Sequence, residues 1–146
     1  MQKVAQEMHR DTGALQIKPS SSPHQPSILD LGMAPGAFLG VALELNPDAK
    51  ALAFSLSPSQ GGHNVLLPDG LMVTMHFVDI VMLAEDLRVP VADIPCSHPD
   101  FASFLPRHFP QRQRFELAFC DGQVLRSHFR ASYRENREAT SVGTCG

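Results

Sequence analysis

The chain has little charge. Asp, Glu, Lys and Arg make up 18% of its 146 residues and the net charge is −3. No global basic field therefore draws it onto nucleic acid or a membrane surface, and any such contact has to come from a local patch. Cysteine is scarce as well. Cys96, Cys120 and Cys145 form no CxxC pair and are odd in number, which argues against a disulfide framework or a zinc knuckle. It favours a reducing intracellular compartment, cytoplasmic or nuclear. The seven histidines make no HxxxH or HxH pair, so a metal site has little support. Nothing at the amino terminus reads as a targeting peptide, because Lys3, Glu7, Arg10 and Asp11 interrupt it and no apolar run follows. The uncharged stretch between Asp30 and Glu44 holds Pro35 and three glycines, well short of the roughly 18 apolar residues of a membrane span.

What remains is an apolar fraction of 43% in one domain's length of chain, enough for a real core. Residues 1–14 predict a short amphipathic helix with Val4, Ala5 and Met8 on one face, closed by Gly13 as a C-terminal cap. The prolines of KPSSSPHQP, Lys18 to Pro26, make a connector. A strand then ends at Asp30 or Leu31, and a helix follows from Ala37 to Leu45, where Phe38, Val41, Ala42 and Leu45 recur at helical offsets. Asn46 and Pro47 stop that helix. Further strands are expected at Lys50–Leu56, Met72–Ile80 and Phe115–Cys120, and a last helix at Gln123–Thr140. Between Val89 and Pro110, five prolines and no clear period mark a long surface loop, with Phe101, Phe104 and Leu105 pinning it to the body.

Short, nearly all-apolar strands separated by crossovers predict an α/β fold with a mostly parallel sheet covered on both faces. Ligands of such sheets bind at the carboxyl ends of the strands, and three of the four strands here end in or beside an acid, Asp30, Asp79 and Asp121.

The segment ILDLGMAPGAF, Ile28 to Phe38, is the one stretch with a mechanical reading. Gly32 allows a sharp turn off the strand and close approach of a ligand. Pro35 and Gly36 set up a helix start whose free N–H groups face an anionic or polar group. The plainer alternative is a strand-to-helix turn with no ligand. A phosphate-cradling GxxxxGK[ST] is absent, and so is the dinucleotide GxGxxG, since Ala34 stands where its second glycine belongs. A nicotinamide-dependent oxidoreductase lacks its fingerprint for that reason. Asp79 is suited to accept a hydrogen bond from an adenine amino group, or is a solvent-facing strand-end acid. Asp121 is a ligand contact, an N-cap for the last helix, or both. Arg126, Arg130, Arg134 and Arg137 share one face of that helix. They form either a phosphate-facing surface or a solvated one partly neutralised by Glu135 and Glu138.

Taken together, ILDLGMAPGAF, FVDI and FELAFCDGQ resemble the FtsJ-type RNA ribose 2′-O-methyltransferases from about Ile28 to about Thr140. The resemblance implies a Rossmann-like class I methyltransferase fold that binds S-adenosylmethionine and methylates RNA ribose hydroxyls. It implies a cofactor site of Gly32, Ala34, Pro35, Gly36, Phe38, Ser55, Asp79 and Asp121, with Asp121 also matching the aspartate of the family's Lys-Asp-Lys-Glu catalytic tetrad. Ala37 stands where the family usually has a second glycine, and Ser55 where it often has an acid for the cofactor's ribose. Lys3 is the nearest counterpart of the first tetrad lysine. The second lysine and the glutamate belong on strands beyond Thr140.

The expectation is therefore a truncated domain: helix and linker over residues 1–26, a partial methyltransferase domain over 27–140 and a tail over 141–146. It holds a methyl donor's pocket but lacks the proton acceptor, and its fourth strand has an open edge for a partner or a second copy. The alternative of another class is a non-catalytic cofactor- or RNA-binding remnant. The expected partners are RNA and no membrane.

Overall fold

The computed structural model describes residues 1–19, 24–110 and 112–120. Two helices, α1 (Gln2–Thr12) and α2 (Ala37–Leu45), accompany four strands, β1 (Ser27–Leu31), β2 (Lys50–Ser55), β3 (Val73–Phe77) and β4 (Leu117–Cys120). The strands form one sheet in the order β3-β2-β1-β4, and every neighbouring pair is parallel. This is an α/β fold. Cys145, the residues expected as the last helix with its four arginines, the tail and Asp121 lie outside the described residues.

Register fixes which side chains share a face, because side chains alternate along a strand. Ile28 pairs with Ala51 and Leu117, and Ala51 with Val73. Leu39, Val41, Ala42 and Leu43 of α2 complete the buried cluster these residues belong to, together with Ala5 and Leu15. The small side chains Ala51 and Ala53 let the helix layer lie close on the sheet. On the opposite face Leu31 pairs with Phe54, and Phe54 with His76. No helix among the described residues covers that face. The β3–β4 connection contributes buried Leu83 and Ala84, and Phe109 meets the fully buried Phe54 edge-on with centroids 5.6 Å apart. No helix among the described residues is long and apolar enough to cross a membrane.

Several elements are shorter than their sequence patterns suggest. β3 ends at Phe77 because Asp79 caps a turn of 3-10 helix over Ile80–Met82, its side chain accepting from the Val81 N–H. α1 stops at Thr12 and is closed by Gly13 in the left-handed conformation, φ 67°. Ala5 is buried and Met8 packs on the core, whereas Val4 is turned outward, 52% exposed. The long loop is pinned by a backbone bond from Leu105 N–H to the Met82 carbonyl and by Phe109, while Phe104 packs on His98 within the loop.

Asn46 ties the amino-terminal segment to this sheet. Its side-chain amide donates to the Leu15 carbonyl at 2.8 Å and the Ala42 carbonyl at 2.7 Å, and its side-chain oxygen accepts from the Ile17 N–H at 2.9 Å. One buried residue thus ends α2 and holds the chain that follows α1. At the far edge Glu116 closes the β1–β4 ladder, its carboxylate accepting from Ser27 N–H at 2.7 Å and Ser27 Oγ at 3.1 Å. His24 Nε2 lies 3.5 Å from the other oxygen. The Ser27 backbone bond is the largest cause holding the Glu116 carboxyl below its ordinary range, against an opposing contribution from burial.

Asn46→Ala should lose about 2–4 kcal/mol of stability in urea unfolding, because three side-chain bonds go, two of them buried, and the Leu15 carbonyl and Ile17 N–H lose that partner, while Ala42 keeps its backbone bond. Asn46→Asp should be no better, since a carboxylate cannot donate to the two carbonyls and sits at the negative end of α2. Because the Glu116 carboxyl is depressed in the folded state, its contribution is present above the ordinary carboxylate value and is lost as pH falls below it. Glu116→Gln should therefore flatten the fall in thermal midpoint below about pH 4.5 relative to wild type.

Candidate functional site

The carboxyl ends of the strands are built around β1. Leu31, its last residue, pairs with Phe54 of β2 and with Cys120 of β4, while Ser55 pairs with Phe77 of β3. With neighbouring strands about 4.8 Å apart, the four ends span roughly 14 Å. The chain leaves β1 toward β2 on one side and returns from β3 to β4 on the other, so the connections diverge at the end of β1. That divergence opens the crevice in which ligands of open parallel sheets bind.

Two backbone bonds shape the turn after β1. Gly32 and Met33 both donate their N–H groups to the Phe54 carbonyl, each at 2.9 Å. Gly32 has φ 115° and Gly36 φ 99°, both in the region that disfavours any side chain. The peptide between Ala34 and Pro35 is cis. Gly36 is the N-cap of α2, no side chain among the described residues caps that end, and no acid lies in its first turn. The first amides of α2 therefore have no acceptor within the helix, and the positive end of the helix dipole lies at the turn. Phe38 is half-buried and packs against the core.

The other expected residues are less available. Ser55 is 5% exposed and its hydroxyl makes a long 3.4 Å bond to the Leu56 carbonyl. Asp79 is exposed, and its carboxylate accepts from the Val81 N–H at 3.0 Å; it acts as a cap. Asp30 is buried at the end of β1, 4% exposed. Lys3 lies on the exposed first turn of α1, its ammonium 3.9 Å from Glu7. Asp121 follows Cys120 directly in sequence but lies outside the described residues.

Three features of this edge were not anticipated from the sequence. Leu67, in the β2–β3 connection, covers the glycine turn: a Cβ added at Gly36 would stand 2.8 Å from Leu67 Cγ and Cδ2. Leu66 donates its N–H to the Pro35 carbonyl at 2.9 Å. Second, Glu85 and Asp86 hold the end of the long loop by its backbone. Glu85 accepts from Arg107 N–H, and Asp86 from His108 and Phe109 N–H, all at 2.8 Å. Third, this strap sets His108 against His76 with ring centroids 4.8 Å apart, both beside Phe54. The only foreshadowing was the run of prolines from Pro90 to Pro110, which announces a loop and not its tethers.

At the opposite, amino end of the sheet a cavity of about 360 Å³ is lined by Lys18, His24, Asn46, Asp48 and Glu116, among others. His24, Glu116 and Ser27 meet there with the acid in the middle, and Ser27 Oγ donates to the Arg114 carbonyl at 3.0 Å. The group beside the hydroxyl is the Glu116 carboxylate, which the Ser27 N–H also holds, while His24 lies on the other carboxylate oxygen, so the order is not the serine–histidine–acid one of an activated nucleophile. Among the described residues no group of three or more His, Cys, Asp or Glu side chains is placed to hold a metal ion. No family model, curated protein or solved structure matches the chain, and the functional reading rests on its own residues.

Gly36→Ala should destabilise the fold by about 1–3 kcal/mol, because it combines a disfavoured backbone region with a collision against Leu67. In the Gly36→Ala, Leu67→Ala double variant the collision is relieved and the backbone cost stays. A double-mutant cycle from urea unfolding should show coupling between the two sites, and strict additivity would remove Leu67 as Gly36's neighbour. Asp86→Ala should release two N–H groups and raise amide exchange at His108 and Phe109 at least tenfold, with little change in β1 or β2.

Proposed function

We propose that the chain is a methyl-donor-binding domain of the FtsJ type, with S-adenosylmethionine lying across the carboxyl ends of β1, β2 and β3 and RNA ribose as the methyl acceptor. The observation that carries this reading is the turn from Gly32 to Gly36 at the point where the connections diverge, feeding an uncapped helix. The strand order β3-β2-β1-β4 is that of the first four strands of the nucleotide-binding doubly wound sheet, which supports the same reading. The cofactor would supply an activated methyl group on a sulfonium.

The chain's own part is recognition and orientation. The amides at the start of α2 suit the carboxylate of the cofactor's amino-acid portion. Asp79 suits an adenine amino group once its carboxylate turns from the Val81 N–H. The fit has one condition: Leu67 fills the space over Gly36 and must withdraw. A ribose hydroxyl is a weak nucleophile near neutral pH, so transfer needs alignment and a proton acceptor of lowered pKa. Asp121 matches the tetrad aspartate by sequence only.

A second reading, a cofactor- or RNA-binding domain without turnover, is favoured by one observation. Lys3, nearest the tetrad's first lysine, directs its ammonium to Glu7 on an exposed helix face. Titration calorimetry with S-adenosylmethionine should give a Kd between about 1 μM and 1 mM, and radiolabelled methyl should pass to single-stranded RNA. Binding without transfer would select the second reading, and transfer the first. Absence of binding in wild type and in Leu67→Ala alike would remove both.

A further inference from the structure

The β2–β3 connection has an unusual relation to the glycine turn. Its first part is anchored: Gly62 donates its N–H to the Ser57 carbonyl at 2.9 Å, and a Cβ there would strike the backbone of Leu56. Its end is anchored as well, since Leu71 packs against the core. Between these points, His63 to Gly70 is joined to the rest of the described chain by one backbone hydrogen bond, from Leu66 N–H to the Pro35 carbonyl. Most of its side chains are exposed, with Leu66 at 76%. Val65 and Leu67 are the apolar contacts that hold it down.

Leu67 lands where only a missing side chain leaves room. Its Cγ and Cδ2 stand 2.8 Å from the place of a Cβ on Gly36, and Cδ2 stands 3.6 Å from that on Gly40, one turn along α2. Gly61 and Gly70 bracket the segment at φ 91° and 88°. A Cβ at Gly70 would meet nothing within 4 Å, so space is left around that residue for the backbone to swing.

We propose that residues 63–70 are a plug whose Leu67 occupies the ligand position over Gly36 and Gly40, so that closure of this segment and binding at the glycine turn exclude one another. Bound ligand therefore selects the withdrawn form, and the measured affinity is the intrinsic affinity reduced by the fraction of chains that are open. The identity of the ligand, an adenosyl sulfonium with an amino-acid tail, rests on the proposed function. So does a ligand position at the glycine turn, whereas the seating of Leu67 over Gly36 and Gly40 does not.

Leu67→Ala weakens the closed form by the loss of a partly buried leucine side chain, and Leu66→Ala, exposed in the same loop, is the control. S-adenosylmethionine should bind Leu67→Ala roughly tenfold more tightly than wild type or Leu66→Ala. In wild type, amide exchange over residues 63–70 should rise on binding. Equal or weaker binding by Leu67→Ala, or protection of residues 63–70 by ligand, would overturn the plug, because Leu67 would then be a wall of the pocket. If none of the three proteins binds S-adenosylmethionine, the cofactor reading falls and exchange without ligand decides the plug. Leu67→Ala should then expose the Ala37, Phe38 and Leu39 amides at least fivefold over wild type. Exchange unchanged by the substitution would sink it.

Discussion

The carbonyl of Phe54 and the ring of Phe54 hold the two sides of the structure together. The carbonyl accepts from Gly32 and Met33, so the chain leaving β1 must fold across the end of β2 before α2 can begin. The ring, wholly buried, lies on the opposite sheet face and is met by His76, His108 and Phe109. One residue near the end of a central strand thus sets the turn on one face and gathers the loop on the other. A smaller side chain would take away the ring that His76, His108 and Phe109 share, leaving His108 on His76 and Phe109 on Phe115.

That arrangement answers a problem set by the sheet. Parallel strands this short and this apolar must be covered on both faces, yet among the described residues only one face receives helices. The β3–β4 connection covers part of the other face with only short 3-10 turns for regular structure, and its backbone polar groups still need partners. Leu105 finds a carbonyl, and Arg107, His108 and Phe109 find carboxylates. Asp86 substitutes for a neighbouring strand by offering two acceptors to two successive N–H groups. The stability of this region therefore depends on side-chain hydrogen-bond acceptors as well as on apolar area.

Much of the framework was legible in the sequence. Helical spacing from Phe38 to Leu45 and the Asn46-Pro47 stop gave α2 its observed bounds, Ala37–Leu45. Gly13 was recognisable as a C-terminal cap. These features depend on neighbours within a few positions. What escaped depends on partners far along the chain. Asn46 reads as a helix stop, but its bonds to Leu15 and Ile17 cross about thirty residues. Leu67 ends a short apolar run, Val65 to Leu67, and only the folded chain brings it to Gly36. Asp79 shows a local partner that the strand pattern does not announce: its Oδ1 accepts from the N–H of Val81, two residues on.

The glycine turn is where these two kinds of information meet. A glycine at position 36 has sufficient cause inside the protein, since φ 99° and the nearness of Leu67 both exclude a side chain. Its presence is therefore weaker support for a ligand than the motif alone suggests. The start of α2 points the other way, because packing on Leu67 does not require the Ala37, Phe38 and Leu39 amides to go without an acceptor among the described residues. An apolar plug can fill the space over a helix start but cannot satisfy its amides. The turn is thus complete in shape and incomplete in hydrogen bonding, and that polar deficit is the part of the site that packing leaves unexplained.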